Sequence, residues 1–592
     1  MVNLNDFKIL CALDELNNPS VSQRVIAQHT ALSLGTVNAT LARCRKKEYV
    51  DANCLTEKGR AALKPYQVDN AIIMAAGLSS RFAPISYEKP KGLLKVKGDV
   101  LIERQIKQLH EAGIKDIIVV VGYKMEYFFY LADKYGVKCV ANPDYATRNN
   151  NSTLWVVRNQ LRNTYICSSD IYYTENPFSK YAWCAYYASQ HVDGQTDEWC
   201  METTSGNRIA KITIGGSDAD IMLGHAYFDQ AFSKHFVEIL EREYQLPETA
   251  GKLWESIYFD HLKEFDMRVR RYDAGCIYEF DSLDQLRMFD PQFIENVDSA
   301  VLDNITSVLG CKKSDIRDFY PLKQGITNLS CHFSVGNAEY VYRHPGVGTD
   351  KMLDRQAELA ALQMARDLGL DETFLYEDAQ AGWKISRFVP HARNLDVHDE
   401  SQLARAMHMC RRLHDSAGTL ARSFDFYEEG KKYEQLLASH GPIDVPGYHD
   451  LAQKAARLKQ YADADGFPHC VNHNDFFHLN FILDDDDRLF LIDWEYAGMA
   501  DCANDFGTFV VCSELSDEQA ERALEYYFDR PPTFEERRHF WAYVVLAGWC
   551  WYVWALARQA EGDHVDEWLF VYWRYADSYM NRVLGWYEDA QN

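Results

Sequence analysis

His473-Asn474-Asp475-Phe476-Phe477-His478-Leu479-Asn480, followed by Leu489-Phe490-Leu491-Ile492-Asp493-Trp494-Glu495, decides how the last half of this chain folds. The first run leaves the apolar pair Cys470-Val471, and Asp493 ends a second apolar run. Both acids therefore fall where a strand gives way to a loop. Asp475 stands two residues after His473 and five before Asn480, and Asp493 follows 18 residues after Asp475. Phosphoryl transfer needs an acid to orient and deprotonate the attacking hydroxyl, and two oxygen ligands for Mg2+. Asp475 fits the first requirement; Asn480 and Asp493 fit the second. The aspartates at 484–487 read as solvated turn residues. The spacing points to the catalytic centre of a small-molecule kinase.

The surrounding residues, 295–592, agree. Hairpin-like strands at 330–335 and 339–344 lead to a helix at 352–368, and the remainder is mainly helical. A small β-rich lobe before a large helical one is the layout of a bilobal, kinase-like α+β domain. Gln324-Gly325-Ile326-Thr327-Asn328 lies between strands, where Gly325, Thr327 and Asn328 would fold over phosphates. Arg343 puts a cation on the next strand, and Glu358 on the following helix is its expected partner.

Arg343 stands where protein kinases carry Lys, and no Asp-Phe-Gly occurs after the loop. With Ile492-Asp493-Trp494-Glu495-Tyr496-Ala497-Gly498 and Asn504-Asp505-Phe506-Gly507, the segment resembles the choline/ethanolamine kinase group. Ile385-Ser386-Arg387-Phe388-Val389 looks like that group's adenine-binding hinge, which places Phe388 against ATP. Trp551 and Trp554, in Trp549-Cys550-Trp551-Tyr552-Val553-Trp554, share one helical face. By spacing alone such a stripe is more often core than cage. The resemblance implies that these two tryptophans form the choline pocket, since a quaternary ammonium is best held by aromatic faces. Glu495 and Asp505 would add charge at the substrate rim or near the metal.

Residues 69–290 alternate strands and helices, a βαβ rhythm that implies a Rossmann-like, mostly parallel sheet with ligands at the strand carboxyl ends. The apolar strand at 71–75 runs into Ala75-Ala76-Gly77-Leu78-Ser79-Ser80-Arg81-Phe82. Small residues there expose backbone N–H groups to phosphate oxygens, and Arg81 can pair with a triphosphate. Lys89-Pro90-Lys91-Gly92 supplies further cations. This combination resembles the sugar-phosphate-type nucleotidyltransferases, most closely the bacterial CTP:phosphocholine cytidylyltransferases. Leu101-Ile102-Glu103-Arg104-Gln105-Ile106, Asn149-Asn150-Asn151-Ser152-Thr153-Leu154 and Tyr165-Ile166-Cys167-Ser168-Ser169-Asp170 look like that family.

The resemblance implies that Ala75, Ala76, Gly77, Ser79, Ser80 and Asn151 hold CTP, and that Arg81 and Lys91 stabilise charge at the α-phosphate. It also implies that Asp170 and Asp281 hold Mg2+. Spacing alone leaves Asp281 equally readable as a helix cap before Leu283. Ser168 departs from relatives that carry a further acid there.

Residues 1–66 read as three short helices and a small β-wing, and resemble a winged helix-turn-helix with 36–40 opening the recognition helix. They hold nine Lys/Arg against six Asp/Glu, while the whole chain of 592 residues carries a net charge of −25. That balance argues against nucleic acid or an anionic membrane as main partner, and leaves DNA contact through 1–66 the weaker alternative to a packing role. No apolar run reaches about 18 residues in this reading, so no membrane span is expected. The 15 cysteines lack metal-ligand spacing and the start lacks signal-peptide regions, which reads as a cytoplasmic protein with reduced thiols.

The expected architecture is a multidomain α/β protein with domains at 1–66, 69–290 and 295–592. The expected activity is choline phosphorylation by ATP, then cytidylyl transfer from CTP to phosphocholine, with Mg2+ at both sites. Choline, phosphocholine, ATP and CTP are the expected partners, with no membrane and with homo-oligomers left open. Two alternatives stand beside it. The same folds could act on ethanolamine, 2-aminoethylphosphonate or a sugar phosphate, or degenerate enzyme domains could serve a ligand-sensing transcription regulator.

Overall fold

The computed structural model describes residues 2–322, 328–346, 354–562 and 565–590. The chain forms two compact units, the first essentially residues 1–307 and the second essentially 322–592.

The first unit opens with helices Leu4–Leu16, Gln23–Thr30 and Leu34–Lys46 and the two-stranded wing Val50–Asp51 and Cys54–Leu55. Local chemistry sets the helix starts: Ser22 and Ser33 accept hydrogen bonds from the backbone N–H groups of Val25 and Thr36. Asp6 is buried and is bound by Arg43 at 2.6 Å and Lys47 at 2.9 Å. Two of the four basic residues at the end of the third helix are thus neutralised from within.

Next comes a seven-stranded sheet in the order Arg268–Arg271, Tyr186–Thr203, Ile209–Phe228, Thr164–Ser168, Asn70–Ala75, Ile117–Val121, Lys138–Ala141. The last four strands run parallel. Ala71, Ile72 and Ile73 are fully buried, because a central parallel strand is covered on both faces. The register Ala75↔Val121 and Met74↔Ser168 brings the Gly77 loop and Asp170 to one carboxyl edge. Of the other three strands, an 18- and a 20-residue strand pair antiparallel, outside the mostly parallel expectation, and Arg268–Arg271 runs parallel to the first of them.

The second unit has a sheet with the strands Asn328–Val335, Ala338–Pro345, Trp383–Arg387 and Phe374–Asp378 in that order. A helical lobe follows. Its central helix, Phe534–Ala560, corrects the expectation about apolar runs: residues 539–556 contain no Asp, Glu, Lys or Arg. By length and composition it could cross a membrane, yet 89% of its most apolar window is buried inside the unit. None of the 15 cysteines is in a disulfide.

Candidate active sites

In the first unit a cavity of about 520 Å3 opens at the carboxyl edge of the parallel strands. Ala75, Ala76, Gly77, Ser79, Ser80, Lys91 and Asp170 line it. Open space surrounds the Cα of Gly77, whereas a Cβ on Gly122 would lie 2.7 Å from Tyr145 and 2.8 Å from the Ala76 carbonyl. Close packing under the loop is therefore enforced at Gly122, and the room for a ligand is at Gly77.

Lys91 is buried, pairs with Asp170 at 2.7 Å and donates to the Phe280 carbonyl. Arg81 is largely exposed, off the cavity wall, and pairs with Asp281 at 2.6 Å. Asp281 is not a helix cap: Ser282 takes that position and accepts from Gln285 N.

Asn151 departs from expectation. Its side chain is fully buried and donates to the carbonyls of Thr249 and Lys252, so it holds the 249–252 segment rather than facing the cavity. The wall is supplied instead by its neighbours Asn149, Asn150 and Ser152, and by Asn142 and Arg148. Glu279, unremarked in the sequence, lies close enough to Asp170, Lys91 and Asp281 for their charges to act on it.

In the second unit, the strand His469–Asn472 delivers the 473–480 loop. Asn480 Nδ2 donates to Asp475 Oδ2 and to the Asp475 carbonyl, both at 2.8 Å. Burial and the neighbouring Asp493 carboxylate push Asp475 up to about 7. Asp493 itself sits in the left-handed region, at φ 71°, where the chain turns out of its strand. His473 is fully buried, and its Nε2 meets the Ile492 carbonyl at 3.0 Å, tying the two motif segments together.

Asp505 lies beneath the loop. It is fully buried and accepts the backbone N–H groups of His473 at 2.9 Å and Asn474 at 2.7 Å, and it hydrogen-bonds His414 at 3.1 Å. It fixes the backbone of the loop, and its charge acts on Asp475. No sequence signal finds the His414 contact, because the partners lie 91 residues apart.

Arg343 and Glu358 pair at 2.6 Å, both buried, within a cluster that adds Arg355, Lys384, Glu377 and Glu495. Glu495 is 6% exposed, lies 4.0 Å from Arg343, and is close enough to Asp493 and Asp475 for their charges to act on one another. Phe388 follows the strand Trp383–Arg387, its N–H donating to the Glu339 carbonyl and its ring edge-on to His332 at 4.7 Å. Gly325 and Thr327 lie outside the described residues, and Asn328 begins a strand.

The aromatic run divides. Trp549 is fully buried against Tyr427 and over Gly430, where a Cβ would lie 2.4 Å from the indole. Trp551 and Trp554 are only partly buried and meet edge to face at 6.1 Å. Trp568, 47% exposed, adds a third ring 6.2 Å from Trp554. The result is an open aromatic corner.

Residues 318–540 match the family model for the phosphotransferase enzyme family, and residues 71–200 that for the MobA-like NTP transferase domain. Residues 2–51 match the winged helix-turn-helix DNA-binding model. The choline-phosphate cytidylyltransferase of Streptococcus pneumoniae is 34% identical over 220 residues, 37% of this chain and 96% of that protein. The chain belongs to this cytidylyltransferase family. The 2-aminoethylphosphonate cytidylyltransferase of Lancefieldella rimae is 33% identical over 229 residues, 38% of this chain and 93% of that protein. Among solved structures, choline kinase LicA from Streptococcus pneumoniae is 26% identical, covering 48% of this chain and 97% of that one at a TM-score of 0.40. The cytidylyltransferase is thus one part of a transferase fusion that also carries a winged-helix module and a kinase-like domain.

Proposed function

We propose that the chain makes CDP-choline in two steps, phosphorylating choline with ATP and then joining phosphocholine to CTP. The observation that carries the first step is the Asn480–Asp475 hydrogen bond at 2.8 Å beside Asp493. Asp475 takes the proton of the choline hydroxyl as its oxygen attacks the γ-phosphorus of ATP, and the bond to ADP breaks. Asn480 holds Asp475 in place by Nδ2, and its Oδ1 together with Asp493 would hold a divalent cation that neutralises phosphate charge. In the second step a phosphocholine oxygen attacks the α-phosphorus of CTP and pyrophosphate leaves. Arg81 and Lys91 stabilise the charge that develops there. Both donor sets are oxygen-only, Asn480 with Asp493 and Asp170 with Asp281, which suits a hard divalent ion such as Mg2+. Bound there, Mg2+ would neutralise phosphate charge, while Lys91 and Arg81 exchange their carboxylate partners for phosphate oxygens.

The choline assignment rests on the aromatic corner and on the S. pneumoniae relative's name. The similarly close relative named for 2-aminoethylphosphonate favours a second reading. A phosphonate, however, already carries the oxygen nucleophile that cytidylyl transfer needs, which leaves the kinase-like site without a role. An alcohol substrate gives both sites work, and fusion keeps the intermediate at high local concentration. The test offers the purified protein choline, ethanolamine or 2-aminoethylphosphonate with ATP and CTP. ATP-dependent CDP-choline formation at the highest kcat/KM is expected. ATP-independent turnover of the phosphonate above either alcohol would overturn the reading.

A further inference from the structure

Beyond both active sites, the first unit contains a cavity of about 560 Å3 with one wall from the winged helix and the other from the edge of the large sheet. Its size lies in the range of small-molecule sites, roughly 300–1,000 Å3. Phe7 and Lys8 line it from the helix Leu4–Leu16; Tyr181, Trp183, Arg268 and Arg270 line it from the other side. The aromatic part is ordered: Trp183 stacks on Tyr66 at 4.9 Å and meets Phe7 at 5.3 Å.

The charges around this cavity do not balance. Of the three acids on the helix Leu4–Leu16, Asp6 pairs with Arg43 and Lys47, Asp14 pairs with Lys180 at 2.7 Å, and Glu15, which lines the cavity, lies 2.8 Å from His29. Among the described residues no carboxylate lies within ion-pair distance of Lys8, Arg268 or Arg270. Arg268 keeps a buried Nε with no hydrogen-bond acceptor. Arg270 donates to the Tyr186 hydroxyl at 2.9 Å and lies over the Tyr186 and Tyr272 rings, a neutral setting for a cation. A buried guanidinium nitrogen without an acceptor, as at Arg268 Nε, is costly, and the guanidinium fork matches phosphate.

We propose that this cavity binds a mononucleotide, its base against Phe7, Tyr181 and Trp183 and its phosphate on Arg268 and Lys8. Ligand contacts then span the winged helix and the strand Arg268–Arg271, so occupancy of the cavity ties the winged-helix module to the nucleotidyltransferase sheet.

The test uses the full chain with CMP, AMP and inorganic pyrophosphate as probes, read by hydrogen exchange at residues 4–15, 179–186 and 268–271. CMP or AMP is expected to slow exchange in all three segments of the wild type, and pyrophosphate to act weakly or not at all. Arg268→Gln is expected to weaken this protection about tenfold in probe concentration, as loss of a charged hydrogen bond does. Lys8→Gln, on the opposite wall, should do the same without touching the sheet. Neither variant should change the basal rate of cytidylyl transfer. Absence of protection by either nucleotide, protection that survives both substitutions, or protection by pyrophosphate equal to that by CMP and AMP would overturn the proposal.

Discussion

Arg81 Nη1 lies 2.6 Å from Asp281 Oδ1, an ion pair between residues 200 positions apart that joins the two ends of the nucleotidyltransferase segment. Both partners are at least 41% exposed, so the pair contributes little to stability and is free to exchange for phosphate and cation. Its use in catalysis is the first prediction. Arg81→Ala should lower kcat for cytidylyl transfer roughly 100- to 1,000-fold, as loss of one preorganised charge-stabilising donor does. Steady-state assay with added phosphocholine and CTP checks this. An unchanged rate would remove Arg81 from the reaction.

The Arg343 cluster makes a stability prediction. Burial alone would raise the Glu358 carboxyl, and Lys384, Arg343 and Arg355 more than offset it, holding it well below the usual range. Glu377, by contrast, is pushed up by burial and by the charge of Glu358. Arg343→Ala leaves these carboxylates without their central cation and should cost about 3–5 kcal/mol, the usual penalty for breaking a buried pair. Urea unfolding should show the midpoint fall, and Arg343→Lys should recover part of the loss. Equal midpoints for wild type and Arg343→Ala would refute this.

His539 gives the pH dependence. It is fully buried between Asp465 at 3.1 Å and Asp501 at 2.9 Å. Burial lowers its pKa, but the two carboxylates win and raise it above the ordinary 6.5. A group whose folded pKa is raised contributes stability that is complete below the unfolded value and lost as pH rises through the folded one. The second unit should therefore be most resistant to urea on the acid side of 6.5 and weaken above it, judged on this group. In His539→Gln that part of the slope should vanish. The same slope in the variant would exclude His539 as its origin.

The aromatic corner predicts specificity. Trp551→Ala and Trp554→Ala should each raise KM for choline about 3- to 30-fold, the value of a cation–π contact, and affect ethanolamine less. Trp554→Phe should retain most of the affinity. KM values measured for both amines decide the matter, and an equal effect on the two would mean the rings are packing only.

These predictions also mark what was legible in the sequence. The strand at 70–75 and the 473–480 loop were readable because each combines a buried apolar run with a change of pattern at its end. The paired strands Tyr186–Thr203 and Ile209–Phe228 were not, since Asp193, Gly194, Gln195 and the Gly215-Gly216 pair break any two-residue alternation. Side-chain direction was the other blind spot. Asn151 and Asp505 sit in the expected segments, yet turn inward to hold backbone, and spacing along the chain carries no information about that turn. The uncharged stretch 539–556 of the helix Phe534–Ala560 is equally readable as a core helix or a span, and only its burial, 89% of the most apolar window, separates the two.

The central claim is that one chain carries two separate catalytic centres for consecutive steps. The direct measurement follows phosphocholine and CDP-choline in Asp475→Ala and Asp170→Ala, each supplied with choline, ATP, CTP and Mg2+, and again with phosphocholine and CTP. Asp475→Ala should make no phosphocholine but convert added phosphocholine at the wild-type rate. Asp170→Ala should accumulate phosphocholine and make no CDP-choline. Retention by either variant of its own step at the wild-type rate, or loss of both steps in a folded single variant, would contradict the account.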